Sequence, residues 1–165
     1  MIKYYDRNAA VRYAVRWALG RNPTYYDYSE IGGDCTNFAS QCLYAGSGVM
    51  DYTETFGWYY IDANQKAPAW TGVEYLYQYL TRRNDQPGPF AVEVTRQQLR
   101  RGDLIQLSFD GATFAHTPVV LTTMPQILIA AHSEDSLFRP LYTYNYKAIR
   151  YLHIEGVKYD MFDSN

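Results

Sequence analysis

Gly33-Asp34-Cys35-Thr36-Asn37-Phe38-Ala39-Ser40-Gln41-Cys42-Leu43 is the stretch on which the reading of this chain turns. Its apolar side chains stand at 35, 38, 39, 42 and 43, the i, i+3, i+4, i+7, i+8 stripe of a helix packed on a core. The spacing predicts a helix over 35–45, with Asp34 as N-cap, Gly46 as C-terminal stop and the turn Ile31-Gly32-Gly33 before it. Cys35 therefore begins the buried face at its exposed end. There the N–H groups of the first turn have no partner within the helix, and the dipole favours negative charge. Both effects bias a thiol toward the thiolate, its nucleophilic form. Asp34 reads as a cap without a chemical role, because a carboxylate against the thiol would oppose the thiolate.

Upstream, Asp6 is a second N-cap, for a helix over 7–19 with Ala10, Ala14, Trp17 and Ala18 on one face and Gly20 as its stop. The segment 21–33, with Asn22-Pro23 and three tyrosines, is a surface loop. Downstream, Trp58, Tyr59 and Tyr60 precede Pro68, and Trp70, Val73, Tyr77 and Leu80 predict a third helix. Trp58 and Trp70 suit a substrate groove or, at least equally, a core. Two prolines and a glycine within 84–89 break the chain. From there the period changes to two, with strands expected over 104–108, 117–121, 127–131 and 148–154, separated by Asp110-Gly111 and Pro125. Helices first and an antiparallel sheet afterwards is α+β organisation in one domain, 1–165.

Composition removes several classes of function. The 165 residues, 47% hydrophobic, are enough for a single core. A formal charge of −2 with no Lys/Arg block argues against nucleic acid as a partner. No apolar run reaches membrane-spanning length, and Met1-Ile2-Lys3-Tyr4-Tyr5-Asp6-Arg7 has no signal-type core. The chain as given reads as cytoplasmic, or as secreted or wall-associated if a leader has been removed. Eighteen tyrosines suit a sugar or peptide groove as well as a wet core. Cys35 and Cys42 would lie about 10 Å apart along one helix, beyond the ~7 Å that a disulfide spans. Neither can they share a metal, so no metal or cofactor is expected. His153 reads as a structural or surface residue.

The remaining polar residues make a constellation. His116 opens the segment His116-Thr117-Pro118-Val119-Val120-Leu121, and His132 ends the next strand. Strands joined by a short turn run antiparallel, so the start of one lies beside the end of the other, and the two histidines are expected to be neighbours. A thiol at a helix start, an imidazole on one strand and an orienting group on the next is the equipment of acyl transfer. Asn37 and Gln41, one helical turn apart on a polar face, are expected first to support the loop before Cys35, the alternatives being substrate contact or exposure to water.

The stretch 33–43 resembles the nucleophile motif of the putative amidase domain family, a branch of the papain-like cysteine hydrolases. Arg101-Gly102-Asp103-Leu104-Ile105-Gln106 resembles the Gly-Asp strand start of NlpC-type and CHAP cell-wall hydrolases, and His116-Thr117-Pro118-Val119-Val120 with Ala131-His132-Ser133 is similar to their His-then-polar strand pair. Pro118 departs from the family's aliphatic residue and implies an edge or bulge there. The resemblance implies a papain-like α+β fold with Cys35 as nucleophile, His116 as base and then acid, and His132 as the orienting residue, with Asp135 as the alternative. It implies an oxyanion hole from the Cys35 N–H and a tyrosine before it, Tyr26 being favoured over Tyr25 and Tyr28. The expected activity is amide hydrolysis through a thioester, without cofactor, on a peptide such as the peptidoglycan stem peptide. An acyltransferase would use the same residues. From another class, a module that only binds peptidoglycan or glycan could share the fold.

Overall fold

The structure, a computed structural model, describes residues 1–161. A short strand β1 (Ile2–Lys3) leads to Asp6, whose carboxylate accepts the Ala9 N–H at 3.0 Å and starts α1 (Arg7–Trp17) as its sequence predicts. The buried face of α1, Ala10, Val11 and Ala14, uses small side chains that let it lie against α2 (Cys35–Ser47). Helix α2 passes through Gly46, the expected stop. A Cβ there would collide with the Tyr5 ring and come within 2.8 Å of the Asp6 carbonyl, so this glycine serves a close approach. Gly48, at φ 67°, takes the left-handed position that ends the helix.

A small hairpin follows, β2 (Tyr60–Asp62) and β3 (Gln65–Lys66). The expected third helix divides into α3 (Pro68–Thr71) and α4 (Val73–Leu80), because Gly72 is extended between them and flanks both. The remaining strands are β4 (Gly88–Val94), β5 (Leu104–Ser108), β6 (Phe114–His116), β7 (Val119–Thr122), β8 (Leu128–Ala131), β9 (Ser136–Pro140) and β10 (Ala148–Lys158). They form an antiparallel sheet in the order β1-β10-β5-β7-β8-β9, with β4 also paired to β10 and β6 to β5. The architecture is α+β. The strand expected over 117–121 is cut by Thr117-Pro118, since proline has no N–H to give a ladder. Pairing breaks there, leaving β6 to end at His116 and β7 to begin at Val119. Strand β9 lacks alternating apolar residues and bears Phe138 at φ 52°, which hides it from a period-two reading.

The period of two sorts the sheet onto two cores. Leu104, Val119, Leu121, Ala130 and Leu152 join the helices, around fully buried Phe38, Leu43, Trp58 and Trp70. Ile105, Leu107, Val120 and Ile129 meet Leu141 on the other face. The Trp58 and Trp70 indoles donate to Ser40 Oγ at 3.1 Å and Asn37 Oδ1 at 2.9 Å, so both tryptophans belong to the core. Cys42 is free and wholly buried in the same core.

Candidate active site

Cys35 is the first residue of α2 and only 8% exposed. Its Sγ lies 3.7 Å from Thr36 Oγ1 and 3.9 Å from the Ala115 carbonyl oxygen, and the Thr117 N–H is also turned toward it. Thr36 Oγ1 and Thr117 Oγ1, 3.1 Å apart, fasten the helix start to the break between β6 and β7. The sulfur thus rests against the chain on both sides of His116. Burial pushes the Cys35 thiol up from its ordinary pKa; hydrogen bonds from Thr36 and Thr117 oppose that, and the neighbouring Asp34 carboxylate adds to it. Burial at this site thus works against the thiolate bias expected of a helix start.

His116 is 6% exposed, and its Nε2 lies 3.2 Å from Tyr144 Oη. No protein hydrogen bond is made by its Nδ1 among the described residues. Burial, and then the Arg139 cation, push its pKa down to about 4, so the ring is neutral at pH 7. This predicts a pH dependence of folding. Between pH 4 and 6.5 the unfolded chain binds more protons at this position than the folded one, so stability rises with pH through that window. The contribution is complete above the unfolded pKa, about 6.5, and is lost as pH falls toward the folded value, for a total of about 3 kcal/mol. Urea unfolding at pH 7, 6 and 5 should show this slope in the wild type and a smaller one in His116→Gln. Parallel profiles would refute it.

His132 does not orient His116. Its Nδ1 faces Asp34 Oδ2 at 2.5 Å and its Nε2 faces the Trp17 carbonyl oxygen at 2.9 Å, while the Phe38 ring stacks on it at 4.0 Å. Neither nitrogen is turned to His116. The reason is strand pairing. His116 ends β6, which pairs with β5 through Leu107, whereas His132 lies one residue past β8, which pairs with β7 from Val119 onward. Asp135, the alternative, instead makes a two-point ion pair with Arg21 at 2.8 and 3.0 Å.

Asp34 corrects a second expectation. Its side chain caps nothing. Fully buried, it accepts from the Tyr28 N–H and Asn37 Nδ2, both at 2.8 Å, and from His132. Asn37 also donates to the Tyr26 carbonyl at 2.9 Å, which makes it a support for the loop before Cys35. Gln41 accepts from the Tyr13 hydroxyl at 2.5 Å. Tyr26 is 44% exposed and held through its backbone, its N–H donating to Tyr60 Oη at 2.8 Å; no hydrogen bond brings its hydroxyl to the thiol. His153 is structural, with Nδ1 2.9 Å from buried Asp103. Sequence reading missed Tyr144 and Arg139, which lie beyond β9 and on it; no local motif marks either.

A sequence profile for the putative amidase domain matches residues 4–154. The chain is 36% identical over 143 residues to uncharacterized protein YhbB of Bacillus subtilis (strain 168), across 82% of this chain and 43% of that protein. It thus spans less than half the length of that relative. No solved structure matches it.

Proposed function

This chain belongs to the putative amidase domain family, and we propose on that premise that it is a cysteine-dependent amide hydrolase of papain-like type, with bacterial cell-wall peptide as its first candidate substrate. The observation that carries the reading is the Cys35 sulfur seated against residues 115 and 117, on either side of a buried imidazole. His116 Nε2 lies 3.2 Å from Tyr144 Oη, and the reading uses the tautomer that donates Nε2–H to that oxygen, which leaves the Nδ1 lone pair for the thiol proton. Tyr144 takes the orienting role expected of His132 or Asp135.

On attack, the Cys35 proton passes to His116 as the S–C bond forms, and negative charge develops on the carbonyl oxygen. The Cys35 backbone N–H, at the first position of α2, is free to receive it. The imidazolium returns the proton to the leaving amine as the C–N bond breaks, and a thioester remains. Water then attacks, His116 accepts its proton, and the acid departs with the thiol restored. A neutral thiol and a neutral imidazole suit this order, since charge separates only when a carbonyl is present to be attacked. The test is direct: a peptide anilide quenched during turnover should leave its acyl mass on the Cys35 peptide, removable by neutral hydroxylamine. Turnover with no such adduct would overturn the proposal.

A further inference from the structure

We infer that the recess beside His116 is a carboxylate-reading subsite, in which Arg139 takes an acidic group flanking the scissile amide. The inference rests on the hydrolase reading above and names its substrate class. The recess holds about 420 Å³ and is lined by Phe109, His116, Glu134, Arg139, Tyr144 and Asn145.

Arg139 is held before any ligand arrives. Its Nε donates to Thr143 Oγ1 at 2.7 Å, its Nη2 reaches the Thr143 carbonyl at 3.4 Å, and its guanidinium lies 3.6 Å from the Tyr144 ring centroid. The ring that carries this cation also bonds His116 through its hydroxyl, so cation and imidazole are placed by one rigid side chain. Among the described residues, the ion-pair partner of Nη1 is Glu134, 3.7 Å away, whose side chain is 88% exposed. An ion pair that exposed is weak and open to exchange, and a guanidinium edge matches the two oxygens of a carboxylate.

The wall of the recess is strained. Ser133 and Glu134, in the turn from β8 to β9, stand at φ 65° and 62°, and Phe138, next to Arg139, at 52°. Non-glycine residues rarely adopt these angles, and such strain concentrates where geometry serves a ligand. A carboxylate seated on Arg139 would also neutralise the cation that disfavours protonation of His116. An acidic substrate would thereby make the base more basic as it binds.

The test uses tripeptides that differ only in carrying a carboxylate or its carboxamide, at a side chain or the C-terminus. Dissociation constants are measured by calorimetry on the catalytically silent Cys35→Ser chain, alone and with Arg139→Gln or Arg139→Lys. Carboxylates should bind roughly tenfold more tightly than their carboxamides. Arg139→Gln should abolish that preference and Arg139→Lys restore part of it, with urea unfolding confirming that each variant folds. The His116 ring proton signal should titrate at higher pH with the carboxylate bound. Equal affinities for the two sets, or a preference that survives Arg139→Gln, would overturn the inference. An intact preference in a chain whose Cys35 never becomes acylated would instead remove the hydrolase reading and leave a carboxylate-binding site.

Discussion

Replacing Cys35 by serine should lower amide turnover by at least about 10⁴-fold and leave the fold in place. The two side chains are nearly isosteric, and the site that Cys35 fills at the start of α2 accommodates either. Stability should therefore stay within about 1 kcal/mol of the native chain. The chemistry has no such tolerance. A neutral imidazole at this site can take a proton from a thiol during attack, whereas a hydroxyl is a far weaker acid and a poorer nucleophile in the same position. His116→Ala should cost about 10²–10⁴-fold, because the thiol would lose its proton acceptor. Initial rates on the anilide that acylates Cys35 check both. A serine variant within tenfold of the native rate would place the chemistry elsewhere.

Asp34→Ala should be the most damaging substitution to stability. Asp34 has no exposed surface and faces the Tyr28 N–H, Asn37, His132 and, at 3.5 Å, Arg21 Nε. Alanine would take this acceptor from the Tyr28 N–H and the His132 ring, and stranding buried polar groups at about 1–3 kcal/mol each makes a cost of about 3–5 kcal/mol together. Against a total stability of roughly 5–15 kcal/mol, that is a large share, equivalent to a fall of roughly 6–20 °C in Tm. Because Asp34 immediately precedes Cys35, loss of this anchor should also loosen the start of α2. Thermal unfolding of Asp34→Ala, His132→Ala and the double variant tests the pairing. Strong non-additivity is expected, since each single change already strands the other group. A fall below 1 kcal/mol in Asp34→Ala would show that the carboxylate carries little.

What the local pattern of residues could specify, it did. The stripe at 35, 38, 39, 42 and 43, the Asp6 cap and the period-two runs near 105 and 129 each depend on neighbours a few positions away, and the helices and central strands formed where those signals stand. Helix α2 passed Gly46 because the reason for that glycine is Tyr5, some forty residues earlier, and no periodicity within the helix contains it. The same limit governs the site. Cys35 at a helix start and His116 beside a strand break follow from sequence, through the apolar stripe that begins at Cys35 and the missing N–H of Pro118. Which group meets which imidazole does not. The break before Val119 put His116 on a strand paired with β5, His132 turned to Asp34, and a tyrosine beyond β9 came to His116 instead. Burial, a property of the whole packed chain, then pushes the thiol pKa up and the imidazole pKa down, each toward its neutral form. The sequence by itself determined the elements and the positions of thiol and imidazole along them; the tertiary structure alone decided their partners, because pairing across a sheet depends on register and desolvation depends on everything packed around the site.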